Sequence, residues 1–270
     1  NPTSPLEHPD GGISYPYWAQ TAYLIKMSKI PSAQDKVLQI CLGIETENIN
    51  TQVQMLEVAL NLPPKMSVQL VTHSYKWIDR INSWFHPEKY GQLIVHLAGG
   101  GQKKEALELV NRVLAVKPDP RKPAEIEGYT FPYEPIALFD DWHYEQILEK
   151  NYPLFVDLVG LDAIKTLLSI LESFIALSDS NRKAGSKDDY SEIWRPAIED
   201  HSQNHKHGVR DLLITAIRDS YERFLQSNPN QVLIVVDDLE SRKLNIFRRL
   251  SLHLLRLFPK GAEKQIAQAL

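Results

Sequence analysis

Asn228-Pro229-Asn230-Gln231 runs into Val232-Leu233-Ile234-Val235-Val236-Asp237-Asp238, and the reading of this stretch decides the fold class. Five apolar residues followed by two carboxylates suit a buried strand that presents acids at its end. They also suit a short buried helix. Asparagine before proline is a helix-start signal, because asparagine caps free backbone N–H groups and proline fits a first turn that needs no donor. A lone strand would also need a partner, and the flanking sequence offers helices only. The stretch is therefore read as a helix, and the chain as all-α.

Working outward, the apolar residues repeat at three, four and seven. Met66, Leu70, Trp77, Ile78 and Ile81 share one helical face, as do Ala106, Leu109, Val110, Val113 and Leu114. Ile164, Leu167, Leu168, Leu171, Phe174 and Ile175 repeat the pattern, followed by Leu213, Ala216, Ile217, Tyr221 and Phe224 and then Phe247, Leu250, Leu254 and Leu257. Such stripes need a neighbouring helix to cover them. Trp18, Tyr75, Trp77 and Trp84 fall near the same spacing and read as core. Pro16, Pro31, Pro63-Pro64, Pro87 and Gly99-Gly100-Gly101 punctuate the pattern. The spacing predicts helices at 15–29, 33–44, 49–61, 64–84, 87–98, 103–116, 140–149, 153–159, 161–178, 192–200, 208–226, 230–240, 243–257 and 262–269. Two long connections are left. Lys117 to Ile136 carries five prolines, and Ser178 to Tyr190 is polar. The domain reading is a flexible segment at 1–12 and a single helical domain at 13–270, with a hinge at 178–191.

Composition limits the function classes. The 270 residues are 43% apolar and 24% charged, with a net charge of −4, which speaks against a globally basic nucleic-acid binder. Cys41 is the only cysteine, so one chain can form neither a disulfide nor a cysteine-based zinc site. It lies in an apolar run and reads as a small buried hydrophobe. A reducing, cytoplasmic setting is the default expectation. No apolar run is long enough to span a membrane, and residues 1–12 do not resemble a signal peptide. The first residue is asparagine, so the chain reads as a piece of a longer protein in which an activity could lie elsewhere.

Helix pairs recur about every 35 residues over the first 116 positions, as in stacked helical hairpins. Residues 90–118 resemble one tetratricopeptide unit. Tyr90, Leu93 and Leu97 stand at its first-helix contacts, Gly101 at its turn, Ala106 at its small crossing position and Pro118 at its close. Val110 and Val113 replace the usual aromatic and alanine. Residues 37–84 resemble HEAT or armadillo repeats. The resemblance is to the α-solenoid class and implies a right-handed stack of antiparallel helix pairs that binds a protein or peptide on its concave surface.

Chemical motifs are sparse. The Val232–Asp238 pattern is similar to the magnesium-holding strand of P-loop NTPases, yet the chain has no Gly-x-x-x-x-Gly-Lys-[Ser/Thr]. It also has no Gly-x-Ser-x-Gly and no Gly-x-Gly-x-x-Gly. Asp140-Asp141 ahead of Trp142-His143-Tyr144 reads as a helix start. His201, His205 and His207 follow Glu199-Asp200; on a helix, His201 and His205 would share a face and could grip a metal. Trp194 and Arg195, next to Pro196, could anchor a loop or hold an anion. Arg242, Lys243, Arg248 and Arg249 form a basic helix, with Arg210 and Arg218 nearby, suited to an acidic partner or nucleic acid. The leading expectation is a non-enzymatic scaffold for a protein partner or an adjoining domain, with no cofactor and no metal. The alternatives are a nucleic-acid-binding module on those basic residues and a metal-dependent hydrolase around His201 and His205.

Overall fold

In the computed structural model, residues 4–78, 87–121, 124–126, 129–131, 133–180, 191–204 and 208–269 are described. The chain is predominantly α-helical and its helices pack in pairs. It divides into two compact units, Asn1–Ala115 with Leu138–Val159, and Val116–Ala137 with Gly160–Leu270.

The first unit opens with a hairpin of β1 (Leu6–Glu7) and β2 (Ile13–Ser14), then α1 (Ala19–Ser28), α2 (Gln34–Leu42), α3 (Ile49–Asn61), α4 (Pro64–His73), the single turn α5 (Tyr75–Ile78), α6 (Glu88–Gly99) and α7 (Lys103–Val113). It closes with α8 (Asp141–Lys150) and α9 (Tyr152–Val159). Sequence neighbours pair: α1 with α2, α3 with α4, α6 with α7, and α8 with α9. Successive pairs also touch, through α1 with α3, α2 with α4, and α3 with α6. Leu56, Leu70, Tyr90, Leu93, Leu97, Leu109 and Phe155 are fully buried where these helices meet.

Local chemistry sets the boundaries. Asn48 caps α3, its side-chain oxygen accepting from the backbone N–H of Asn50 at 3.0 Å. Its amide donates to the Pro16 carbonyl, and Asn50 donates to that of Tyr15. Tyr15 and Pro16 are thus committed to the start of α3, and α1 begins at Ala19 rather than at 15. The glycine stop behaves as its sequence suggests. Gly101 takes φ +81°, the Gln102 N–H donates to the Leu97 carbonyl at 2.9 Å, and the Gly101 N–H donates to that of Ala98 at 3.0 Å. Gly100 needs its missing side chain for another reason: a Cβ there would lie 2.1 Å from Cγ of Pro64. The helix expected at 64–84 breaks at Ser74, whose hydroxyl donates to the Val71 carbonyl. Residues 79–84 of that expectation lie outside the described residues.

The second unit contains β3 (Val116–Lys117), β4 (Ala124–Ile126), β5 (Tyr129–Phe131), β6 (Ile136–Ala137), α10 (Leu161–Ser180), α11 (Val209–Ser227), α12 (Val232–Ser241), α13 (Asn245–Leu257) and α14 (Glu263–Ala269). The proline-rich connection is two antiparallel pairings, β3 with β6 outside and β4 with β5 inside, where only helices and loop were expected. Helix α10 packs on α11, α11 on α13, α12 on α13, and α13 on α14.

The deciding stretch is helix α12, entered through a 3-10 turn at Pro229–Gln231. Val232, Val235, Val236 and Leu239 are buried while Ile234 is 58% exposed, a three-and-four spacing rather than a strand's alternation. The helix expected at 192–200 does not form. A 3-10 turn at Ser191–Ile193 gives way to irregular chain through Asn204. Pro196 has no N–H to donate and pushes Arg195 toward extended backbone, which ends a helix there. Most of the expected hinge, residues 181–190, lies outside the described residues. Among the described residues no helix is long and apolar enough to cross a membrane. Cys41 is fully buried, which pushes its thiol up to about 12.

Candidate functional site

The irregular segment from Ser191 to Asn204 gathers most of the singled-out residues of the second unit. A chain without helix or sheet must satisfy its buried carbonyls by other means. Here five consecutive carbonyls each accept from a side chain. Arg249 of α13 donates to those of Arg195 at 2.7 Å and Pro196 at 3.1 Å. Arg195 itself donates to that of Ala197 at 2.7 Å, and Arg218 of α11 to that of Ile198 at 2.9 Å. Asn204 donates to that of Glu199 at 2.6 Å. At the segment's start, the Ser191 hydroxyl accepts from the Ile246 N–H at 2.9 Å.

Side chains add to the attachment. Ile198 is buried. The Trp194 ring meets Phe174 of α10 edge-on with centroids 6.2 Å apart, and the Arg210 guanidinium lies 5.2 Å from the Trp194 ring. Arg210 also pairs with Glu134. Arg218 binds Asp200 at 2.9 Å and Asp219 at 2.6 Å. Glu199 pairs with Arg256 at 2.6 Å and lies 3.8 Å from His253, which contacts Glu222 at 2.7 Å. Two buried guanidiniums therefore sit in opposite fields. Burial and the nearby Arg218 lower the Arg195 pKa from its ordinary value. Burial also works against Arg218, yet the Asp219 and Asp200 carboxylates hold its pKa above the ordinary value.

A cavity of about 360 Å³ lies beside the segment, lined by Arg195, Asp200, His201, Ser202, Asn204, Asp211 and Thr215. Thr215 accepts from Arg195 at 2.9 Å. Asp211, in the first turn of α11, is only 7% exposed. One of its oxygens has no hydrogen-bond partner among the described residues. Burial raises its pKa, and Arg210 and Arg195 offset that only in part. The sign is destabilising. A carboxyl whose folded pKa is raised favours the fold below its ordinary value near 4 and loses that contribution as pH rises through the folded value. Asp211→Asn, which removes the charge that burial disfavours and keeps the shape, is accordingly expected to stabilise the chain near neutrality by about 0.5–2 kcal/mol, the usual range for a stabilising substitution. Urea unfolding at a series of pH values should show the gain vanish below about pH 4.

The eight residues named from sequence do not form one site. Trp194, Arg195, Arg210, Arg218 and Arg249 converge on the segment. Arg242 turns to Glu172 at 2.8 Å and Asp238 at 3.3 Å, with its guanidinium 5.7 Å from the Phe247 ring. Lys243 and Arg248 are exposed. Residues His201 to Asn204 form a turn rather than a helix, so the shared helical face imagined for His201 and His205 is not built. His205 and His207 lie outside the described residues. Among the described residues no three His, Cys, Asp or Glu side chains group to hold a metal ion. Asp140 caps α8, accepting from the His143 N–H at 2.9 Å, as a helix start should. Sequence reasoning missed Ser191, Asn204, Asp211 and Thr215, which are ordinary polar residues whose roles arise only where segment and helices meet. Comparison with protein-family models, with curated proteins and with solved structures finds no match to this chain.

Proposed function

We propose that the chain is a non-enzymatic helical scaffold that binds a protein partner, its helix hairpins stacking in the manner of an α-solenoid. The stacking is supported in the first unit, where α1 touches α3, α2 touches α4 and α3 touches α6, whereas α6 packs on both α8 and α9. The observation that carries the binding role is the apolar exposure at the start of that unit. Tyr17 and Tyr23 are 60% and 63% exposed, and Leu6 and Ile13 are 48% and 56% exposed. Large exposed apolar groups that lie together mark contact surfaces. Tyrosine supplies much contact area at low entropic cost. Four of the six basic side chains that a nucleic acid would need, Arg210, Arg218, Arg242 and Arg249, are instead bound to carbonyls or carboxylates of the chain itself.

The test is a paired substitution, Tyr17→Glu with Tyr23→Glu. Both side chains are exposed, so unfolding should shift by no more than about 0.5 kcal/mol. A partner isolated with the unaltered chain should bind the double variant at least about tenfold more weakly by calorimetric titration, the loss of one contact residue worth about 1.4 kcal/mol. Equal affinity would remove the reading. A salt-dependent shift of mixed DNA or RNA by the unaltered chain would favour a nucleic-acid module instead.

A further inference from the structure

The attachment of Trp194 to Asp200 has the form of peptide recognition. Among the described residues these seven make no backbone ladder with α11 or α13; their one backbone bond runs from the Trp194 N–H to the Ser191 carbonyl. What holds them is a set of side chains that reads a bent, irregular chain in three ways. Arg249 and Arg218 take main-chain carbonyls, a contact indifferent to sequence. Phe174 with Arg210 receives the Trp194 ring, and Ile198, four residues on, is buried. Arg256 and Arg218 then pair with the carboxylates of Glu199 and Asp200. Main-chain bonds for affinity and spaced side-chain sites for selectivity are the general pattern of peptide-binding grooves. Pro196 fits the same pattern, since the helices contact carbonyls and ask for no N–H at that position.

We infer that the face of α11 and α13 is a docking groove for a peptide held in a bent, non-helical form, filled at rest by residues 194–200 of the same chain. A partner segment displaces that stretch if it carries an aromatic residue, an aliphatic residue four positions later and two carboxylates directly after it. The seated segment defines the occupant's chemistry, and the cationic groups around Glu199 and Asp200 define its charge. This rests on the scaffold reading but uses neither Tyr17 nor Tyr23, so either test can fail without the other.

The experiment uses a fluorescein-labelled peptide of residues 191–200 and the full chain. In the unaltered protein the resident segment competes, and apparent affinity falls in proportion to the fraction of grooves that are open. The variant Trp194→Ala with Ile198→Ala weakens the resident segment. It should bind the labelled peptide at least about tenfold more tightly than the unaltered chain does. A peptide carrying the same two alanines should not bind, and adding Arg249→Met to the loosened chain should weaken binding about tenfold. Equal binding by loosened and unaltered chains, or equal binding of the alanine peptide, would overturn the inference. If circular dichroism shows the loosened chain unfolded, hydrogen exchange on the unaltered protein decides. The bonded amides of the stretch, those of Trp194 and Ala197, should exchange by local opening well before those of α11 and α13, and protection equal to the helices would overturn it.

Discussion

Phe247→Ala is expected to destabilise the second unit by about 3–5 kcal/mol, the range for truncating a fully buried aromatic ring. Phe247 is fully buried on α13, which packs against both α12 and α11. Three consequences combine there. The alanine variant has no ring to take out of water on folding, so the transfer free energy of that apolar area is lost. The space left behind lies where α13 packs against α12 and α11, whose backbones are fixed by helix geometry and can close it only in part. The Arg242 guanidinium also loses the ring face 5.7 Å away. Urea unfolding followed by circular dichroism measures the loss. Phe247→Leu, which keeps most of the volume, should cost less than half as much. A loss below about 1 kcal/mol for the alanine variant would mean that α13 is not packed as described.

Arg218→Ala comes next, at about 2–4 kcal/mol. Its guanidinium gives a charge-assisted bond to the Ile198 carbonyl at 2.9 Å, and removing it leaves that buried acceptor unmet, at about 1.5–3 kcal/mol. The buried stem leaves a further void. The figure stays below the upper end for breaking a wholly buried ion pair, about 5 kcal/mol, because the partners can rehydrate. The side chains of Asp219 and Asp200 are 56% and 85% exposed. Arg218→Met separates the contributions. It fills the void without restoring the bond, so it should recover part of the loss in urea while leaving the bonded Trp194 and Ala197 amides as poorly protected from exchange as in Arg218→Ala. Recovery of both would show that the stem alone matters.

Helices were legible where a stripe and its punctuation agreed. Residues 49–61 match α3 end for end, because Asn48 caps one end and Pro63-Pro64 forbids continuation at the other. The α6 to α7 turn was legible for the same reason, since three glycines admit few alternatives. Residues 192–200 misled because the pattern around Trp194 and Ile198 has helical spacing, while Pro196 denies the helix its bonds. The strands of the 116–137 connection were hidden by their shortness: two or three residues carry no readable period.

The candidate site was legible only as a roll of side chains. Trp194, Arg195, Arg210, Arg218 and Arg249 were noticed as available aromatic and cationic groups, but their partners are carbonyls, which every residue possesses and no sequence marks. Asp211 carries no sign in the sequence that one of its oxygens would be left without a partner.

The order of residues alone determined the all-α class, the helix starts at Asn48 and Asp140, the stop at Gly101 and the burial of Cys41; Asn228 gives the start of α12 no cap, its amide donating instead to the Phe224 carbonyl of α11. Each is a local matter, settled by the period of apolar side chains and by which residues can supply or forgo a backbone bond within a turn. Tertiary structure alone decided that Arg218 and Arg249, far from residues 195–198 along the chain, would meet those carbonyls. That outcome depends on desolvation. Once the segment lies against α11 and α13, the Ile198 carbonyl is cut off from water, and a guanidinium within reach becomes the donor that replaces it.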